Sequence, residues 1–142
     1  MEDAIANLID WSRFARVRAE LGADFVRILG YFREDGEKSV ARIEQAMLAH
    51  DAAALVLPAH TMKTEARQFG ADPLGDLAEE IEHAARRALE SQLFPDQILP
   101  QVARLRPLYA ETIKQLDAET NPLAIRRPAE DRTASNQEFG RL

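Results

Sequence analysis

The sequence predicts an all-α protein: an antiparallel, up-and-down four-helix bundle with an additional N-terminal helix. Three observations predict it. Apolar residues recur at helical spacing along nearly the whole body of the chain, and no stretch alternates with period two over a strand's length. Cap and stop residues punctuate that pattern at intervals suited to helices joined by short turns. At 142 residues the chain is long enough for one domain with one core. Its 46% hydrophobic and 30% charged residues place it with folded globular proteins rather than disordered ones.

The first predicted helix, Ile5 to Leu21, places Ile5, Leu8, Ile9, Phe14, Val17 and Leu21 at mostly helical spacings and stops at Gly22. The second runs from about Asp24 to Ala49 on a stripe of Phe25, Ile28, Leu29, Phe32, Ile43 and Met47. Gly30 and Gly36 lie inside it, and each costs up to about 1 kcal/mol relative to alanine, so a bend or break is expected near Gly36. Asp51 has the chemistry to cap a third helix and Gly70 the chemistry to end it after Phe69. A fourth begins at Asp72-Pro73, read as a cap followed by proline at the first helical position, and continues to about Ser91. Its inward face is Leu74, Leu77, Ile81, Ala84 or Ala85, and Ala88. The fifth runs from Asp96 to about Glu119, with Ile98, Val102, Leu105, Leu108, Tyr109, Ile113 and Leu116 inward. Pro100 and Pro107 predict a kinked or irregular first half. Trp11 and Phe14 are assigned either to covering a bundle end or to a docking surface.

Lys and Arg total 18 against 24 Asp and Glu, a net charge of −6, so the field repels polyanions and nucleic acid is not an expected partner. The longest apolar run, residues 52–59, contains Pro58 and falls far short of the roughly 20 residues a membrane-spanning helix needs, so no membrane role is expected. No secretory signal follows Met1-Glu2-Asp3. The absence of cysteine excludes disulfides and thiolate catalysis, and a cytoplasmic location is expected. Residues 1–119 read as the bundle domain. Residues 120–142, with Pro122, Pro128 and more basic than acidic side chains, read as a flexible C-terminal tail.

Within the third helix, Leu55, Ala59, Met62, Ala66 and Phe69 recur at spacings of four, three, four and three, a single stripe suited to a core. At about 100° per residue, His60 lands roughly 150° from the centre of that stripe, with Lys63, Thr64 and Arg67 within about 60° of it. The histidine is therefore expected at the surface beside two cations. His50 and His83 form no recognisable zinc motif, and Glu79, Glu80 and Glu82 read as a solvated acidic face, with Glu82 or Arg86 bordering His60 if the third and fourth helices are neighbours. No phosphate-cradling glycine loop occurs. Pro58, two residues before His60, is expected to kink the third helix by removing a backbone donor near the Ala54 carbonyl.

The run from Ala59-His60-Thr61-Met62-Lys63-Thr64 to Phe69-Gly70-Ala71 resembles the signature of histidine-containing phosphotransfer (HPt) domains, an Ala-His-x-Leu-Lys-Gly stretch followed by a Leu-Gly or similar pair. Asp51 and Leu55 before it, and Leu74, Leu77, Ile81 and Glu82 after it, extend the resemblance over roughly residues 8 to 118. It implies that His60 accepts a phosphoryl group from a receiver-domain aspartate, on a hybrid histidine kinase or response regulator, and passes it to another receiver. Imidazole is largely neutral and nucleophilic at pH 7 without a partner base. Lys63 would stabilise charge on the transferring group, and Thr64, Arg67, Gln68 and Arg86 would lie near the docking face. The family's magnesium belongs to the receiver, so no metal or cofactor is expected on this chain, which would act as a monomeric stoichiometric carrier and not an enzyme. Two positions depart from the family: Thr64 stands where glycine is usual and Glu65 where a small residue is usual. Glu65 is placed between the exposed face and the core flank, where its charge would disfavour a phosphorylated His60. The alternative is a degenerate bundle that binds a receiver or kinase as an inhibitory module without carrying phosphate; a purely structural helical module is the third reading.

Overall fold

The computed structural model describes residues 7–120. Ile5 and the tail from Asn121 onward lie outside the described residues. Among those described, every regular element is helical: α1 (Trp11–Leu21), α2 (Phe25–Leu48), α3 (Ala52–Gln68), α4 (Asp72–Ser91) and α5 (Leu99–Thr120), with 3₁₀ turns at Gly22–Asp24 and Asp96–Ile98. Each of α2 to α5 packs on its chain neighbours and α5 closes the ring against α2, which makes the antiparallel four-helix bundle, with α1 laid against the start of α2. No helix among the described residues is long and apolar enough to cross a membrane.

The predicted stripes face inward. All five residues of the α3 stripe are fully buried, as are Leu74, Ile81 and Ala85 of α4 and Leu105 and Leu116 of α5. One end of the bundle is closed by aromatic rings in edge-to-face and stacked contact, running Trp11–Phe14–Phe25–Phe69–Phe32–Tyr109 with centroids 5.1 to 6.3 Å apart. Trp11 and Phe14 are thus core residues covering that end, 6% and 3% exposed.

Three expectations need correcting. The first helix starts at Trp11, because the Asp10 carboxylate accepts from the Ser12 and Arg13 amides at 3.1 Å and caps it there. Leu8 and Ile9 are buried ahead of the helix, and the Asp10 amide donates to the Gly70 carbonyl at 2.8 Å. Second, α2 does not break at Gly36; the missing side chain makes room for Tyr109, whose Cζ and hydroxyl would lie 2.9 Å from an added Cβ. Third, Asp72 is the first residue of α4 and caps nothing; its carboxylate takes the Arg13 guanidinium at 2.6 Å, which ties α1 to the α3–α4 turn. The irregularity expected early in the last helix is the 3₁₀ turn at Asp96–Ile98. Pro100 falls in the first turn of α5, where its missing amide costs nothing, and Pro107 is carried inside the helix.

Candidate functional site

α3 and α4 meet through small side chains. Ala59 and Ala66 on one helix and Ala78 and Ala85 on the other are completely buried, so side chains on the flanks of the two helices reach across to each other. His60 stands on that flank with its side chain 49% exposed, opposite Glu82, whose side chain is only 4% exposed. Glu82 Oε2 lies 3.1 Å from His60 Nδ1 and accepts from Arg86 Nε and Nη2 at 3.0 and 2.8 Å. Its Oε1 pairs with Lys63 Nζ at 2.9 Å. One buried carboxylate therefore gathers a histidine, a lysine and an arginine that the sequence distributes over two helices.

Burial works to raise the Glu82 carboxyl, but the bonds from Lys63, Arg86 and His60 outweigh it and hold the group down to about 2. At neutral pH it is ionised and can only accept. Nδ1 of a neutral His60 ring must then carry the proton, and the lone pair is left on Nε2, away from Glu82. The charges of Lys63 and Arg86 exceed that of Glu82 by one, a net positive surround for an incoming anionic group. This arrangement can present one ring nitrogen as a nucleophile at the surface, with two cations held on the same carboxylate as the ring.

His60 and Lys63 come together as the sequence phase predicts, though Lys63 is largely covered, its side chain 18% exposed. Arg86 joins them through Glu82. Thr64 and Gln68 are exposed on the same helix. Arg67 is drawn instead to α4, donating to Asp76 and Glu79 at 2.8 and 2.7 Å while its stem lies over Gly75. Glu65 is not beside the ring: it is half-buried, and burial first and then the neighbouring Asp35 push its carboxyl up to about 7. The solvated-face reading of the acidic run fails at Glu82, which is 3% exposed overall. Its position four residues after Ala78 and three before Ala85, in the row of small residues facing α3, is the signal that marks it. His50 pairs with Asp96 at 3.4 Å and His83 approaches Glu79 at 3.6 Å, both outside this cluster. Among the described residues no group of three or more His, Asp and Glu is arranged to hold a metal ion.

Comparison with known proteins gives one finding. A family model described as the Hpt domain matches residues 27–119, well over half of the chain and all four bundle helices. Neither the curated proteins nor the solved structures contain a match.

Proposed function

The chain belongs to the Hpt domain family, the phosphocarrier modules of two-component signalling, and on that premise we propose that it is a phosphorelay intermediate with His60 as its phosphoacceptor. The observation that carries the assignment to His60 is the ionised Glu82 at its Nδ1. In the proposed step, Nε2 attacks the phosphorus of a receiver's aspartyl phosphate. The Nε2–P bond forms, the P–O bond to the aspartate breaks, and its electron pair leaves with the aspartate carboxylate. No proton has to leave the ring: Nδ1–H stays against Glu82, which balances the positive charge the ring gains. Return of the phosphoryl group to a second receiver is the same step reversed.

Lys63 is the cation proposed to meet the phosphoryl oxygens, exchanging Glu82 for them as negative charge arrives. Arg86, half exposed, can follow. Thr64 and Gln68, and less directly the tethered Arg67, are assigned to the receiver-docking face. Magnesium would come with the receiver, and the chain would act as a stoichiometric monomer with no cofactor of its own.

The test is to incubate the protein with a panel of phosphorylated receiver domains beside H60Q. Label appearing on the wild type only, stable to base and lost in acid, is the expected result. Tight receiver binding with no label on the wild type would overturn the relay reading and favour the inhibitory module, for which the exposed Thr64 in the usual place of glycine is the supporting observation.

A further inference from the structure

A scattered exposed leucine needs no account, but two of them stand where the site is built. Among the described residues, Leu57, 69% exposed, and Leu89 are the only large apolar side chains left exposed on α3 and α4. Leu57 comes three residues before His60, so the two are neighbours on one face of α3, with Cβ atoms about 5–6 Å apart. Pro58 and Ala59 between them are buried and uncharged. Leu89 extends the α4 row of Ala78, Glu82 and Ala85 that faces α3, two turns beyond Glu82. Because α3 and α4 run antiparallel, the start of one lies beside the end of the other, and both leucines fall on the same side of the His60–Glu82 pair. Val56, partly buried against the core, adds apolar surface on that side.

The other side of the pair differs. There the exposed positions of α3 are Thr64 and Gln68, and Arg67 is paired with Asp76 and Glu79 of α4. The surface around His60 is thus two-sided, apolar toward the start of α3 and polar toward its end. Covering the first side removes leucine from water and is favourable by itself. Covering the second desolvates hydroxyl, amide and ion pairs, and is favourable only if a partner matches each of them.

We propose that Leu57, supported by Leu89, is the apolar anchor on which the receiver seats, so that the receiver lies across the first half of α3 and the last half of α4. Its aspartyl phosphate then sits at the polar edge of that contact, over His60, with Thr64 and Gln68 on the rim. The identity of this partner rests on the transfer reading. Continuity with His60 carries the placement: a folded domain whose phosphorus bonds to Nε2 brings its own surface over what stands one turn away. Charge agrees, since Lys63 and Arg86 exceed Glu82 by one and draw the anionic group to the ring, while the apolar contact beside it is free of charge to oppose. The chemistry of the partner follows, an apolar patch immediately beside a phosphorylated aspartate. A receiver with a charged side chain at that place would bury it unpaired against Leu57, so the same residue sorts receivers.

Binding of receiver domains to the full chain carrying H60Q, so that no phosphoryl group moves, tests it. The probe is a panel of receivers whose aspartate holds a beryllofluoride group in place of phosphate. Adding L57S should weaken binding about tenfold, the scale of leaving most of a leucine side chain unburied, and L89S by less. L99S, the same change at an exposed leucine at the start of α5, should leave binding as it was. All three side chains are exposed, so the fold is kept, as circular dichroism checks. With His60 restored, L57S should raise the receiver concentration needed for half-maximal transfer and leave the saturated rate alone. Binding that L57S leaves intact, or that L99S weakens as much, would overturn the anchor. Failure of every receiver to bind would overturn it too, and self-association lost in L57S would then give this face to a second copy of the chain. Binding that depends on Leu57 while no label reaches His60 in the wild type would keep the anchor and remove the transfer reading.

Discussion

Glu82 is the residue on which the site turns, because three cationic or proton-donating side chains depend on one buried acceptor. Replacing it with glutamine keeps the shape but leaves a single neutral amide oxygen to serve donors that now share two ionised oxygens. A charge-assisted bond of this kind is worth about 1.5–3 kcal/mol. If the ring's proton placement matters to transfer, E82Q should slow receiver-to-histidine transfer roughly 10- to 100-fold in rapid-quench experiments. Stability gives an independent readout. The Glu82 carboxyl is held below its unfolded value, so its contribution is present above about pH 4.5 and lost as pH falls toward about 2. The gap between wild type and E82Q should accordingly be full at pH 7 and close along that acid limb. A variant that transfers at the wild-type rate and stays equally far below the wild type at every pH would show Glu82 to be mere filling.

At the scale of elements, the fit of α2 against α5 rests on an absence. Tyr109 lies where a side chain at position 36 would be, and Arg106 adds bonds of 2.9 to 3.0 Å to Glu37 and Glu44 further along α2. G36A should therefore destabilise the protein by about 1–3 kcal/mol, the range for an overpacked core, despite alanine's better helix propensity. Recovery in G36A/Y109F would not be complete, since the ring carbons clash as well as the hydroxyl; a stabilised G36A, read from the urea midpoint, would mean the ring moves freely. The same contact shows what the sequence carried and what it did not. The inward stripes, the exposure of His60 and the ends of α3 were legible, because each follows from local periodicity or from a cap within a few residues. Gly36 read as a helix breaker because the ring that uses it is 73 positions away in the chain. Asp72 read as a cap because its real partner, Arg13, is 59 positions away on α1. The burial of Glu82, though not its place beside His60, was hidden for a like reason: an acidic run looks solvated until Lys63 of the helix opposite and Arg86 of its own make burial of one member tolerable.

For the whole molecule, the aromatic end decides whether α1 belongs to the cooperative unit. Phe69 is fully buried and touches Phe25 at 6.0 Å and Phe32 at 5.5 Å, and Phe25 in turn touches Phe14 of α1. Immediately after it, Gly70 adopts φ of 82°, and its carbonyl receives the Asp10 amide, while an added Cβ there would meet the Asp10 carbonyl at 2.7 Å. The α3–α4 turn is thus bonded to the start of α1 on one side and packed into the ring cluster on the other. F69A removes the ring that joins these contacts and should cost about 3–5 kcal/mol, as large-to-small changes in a packed core do. If α1 folds with the bundle, Trp11 fluorescence and far-ultraviolet circular dichroism will report one coincident denaturation transition, shifted together in F69A. Separate transitions, with Trp11 released first, would instead make α1 a detachable cover over the end of the bundle and leave the match over residues 27–119 as the folding unit.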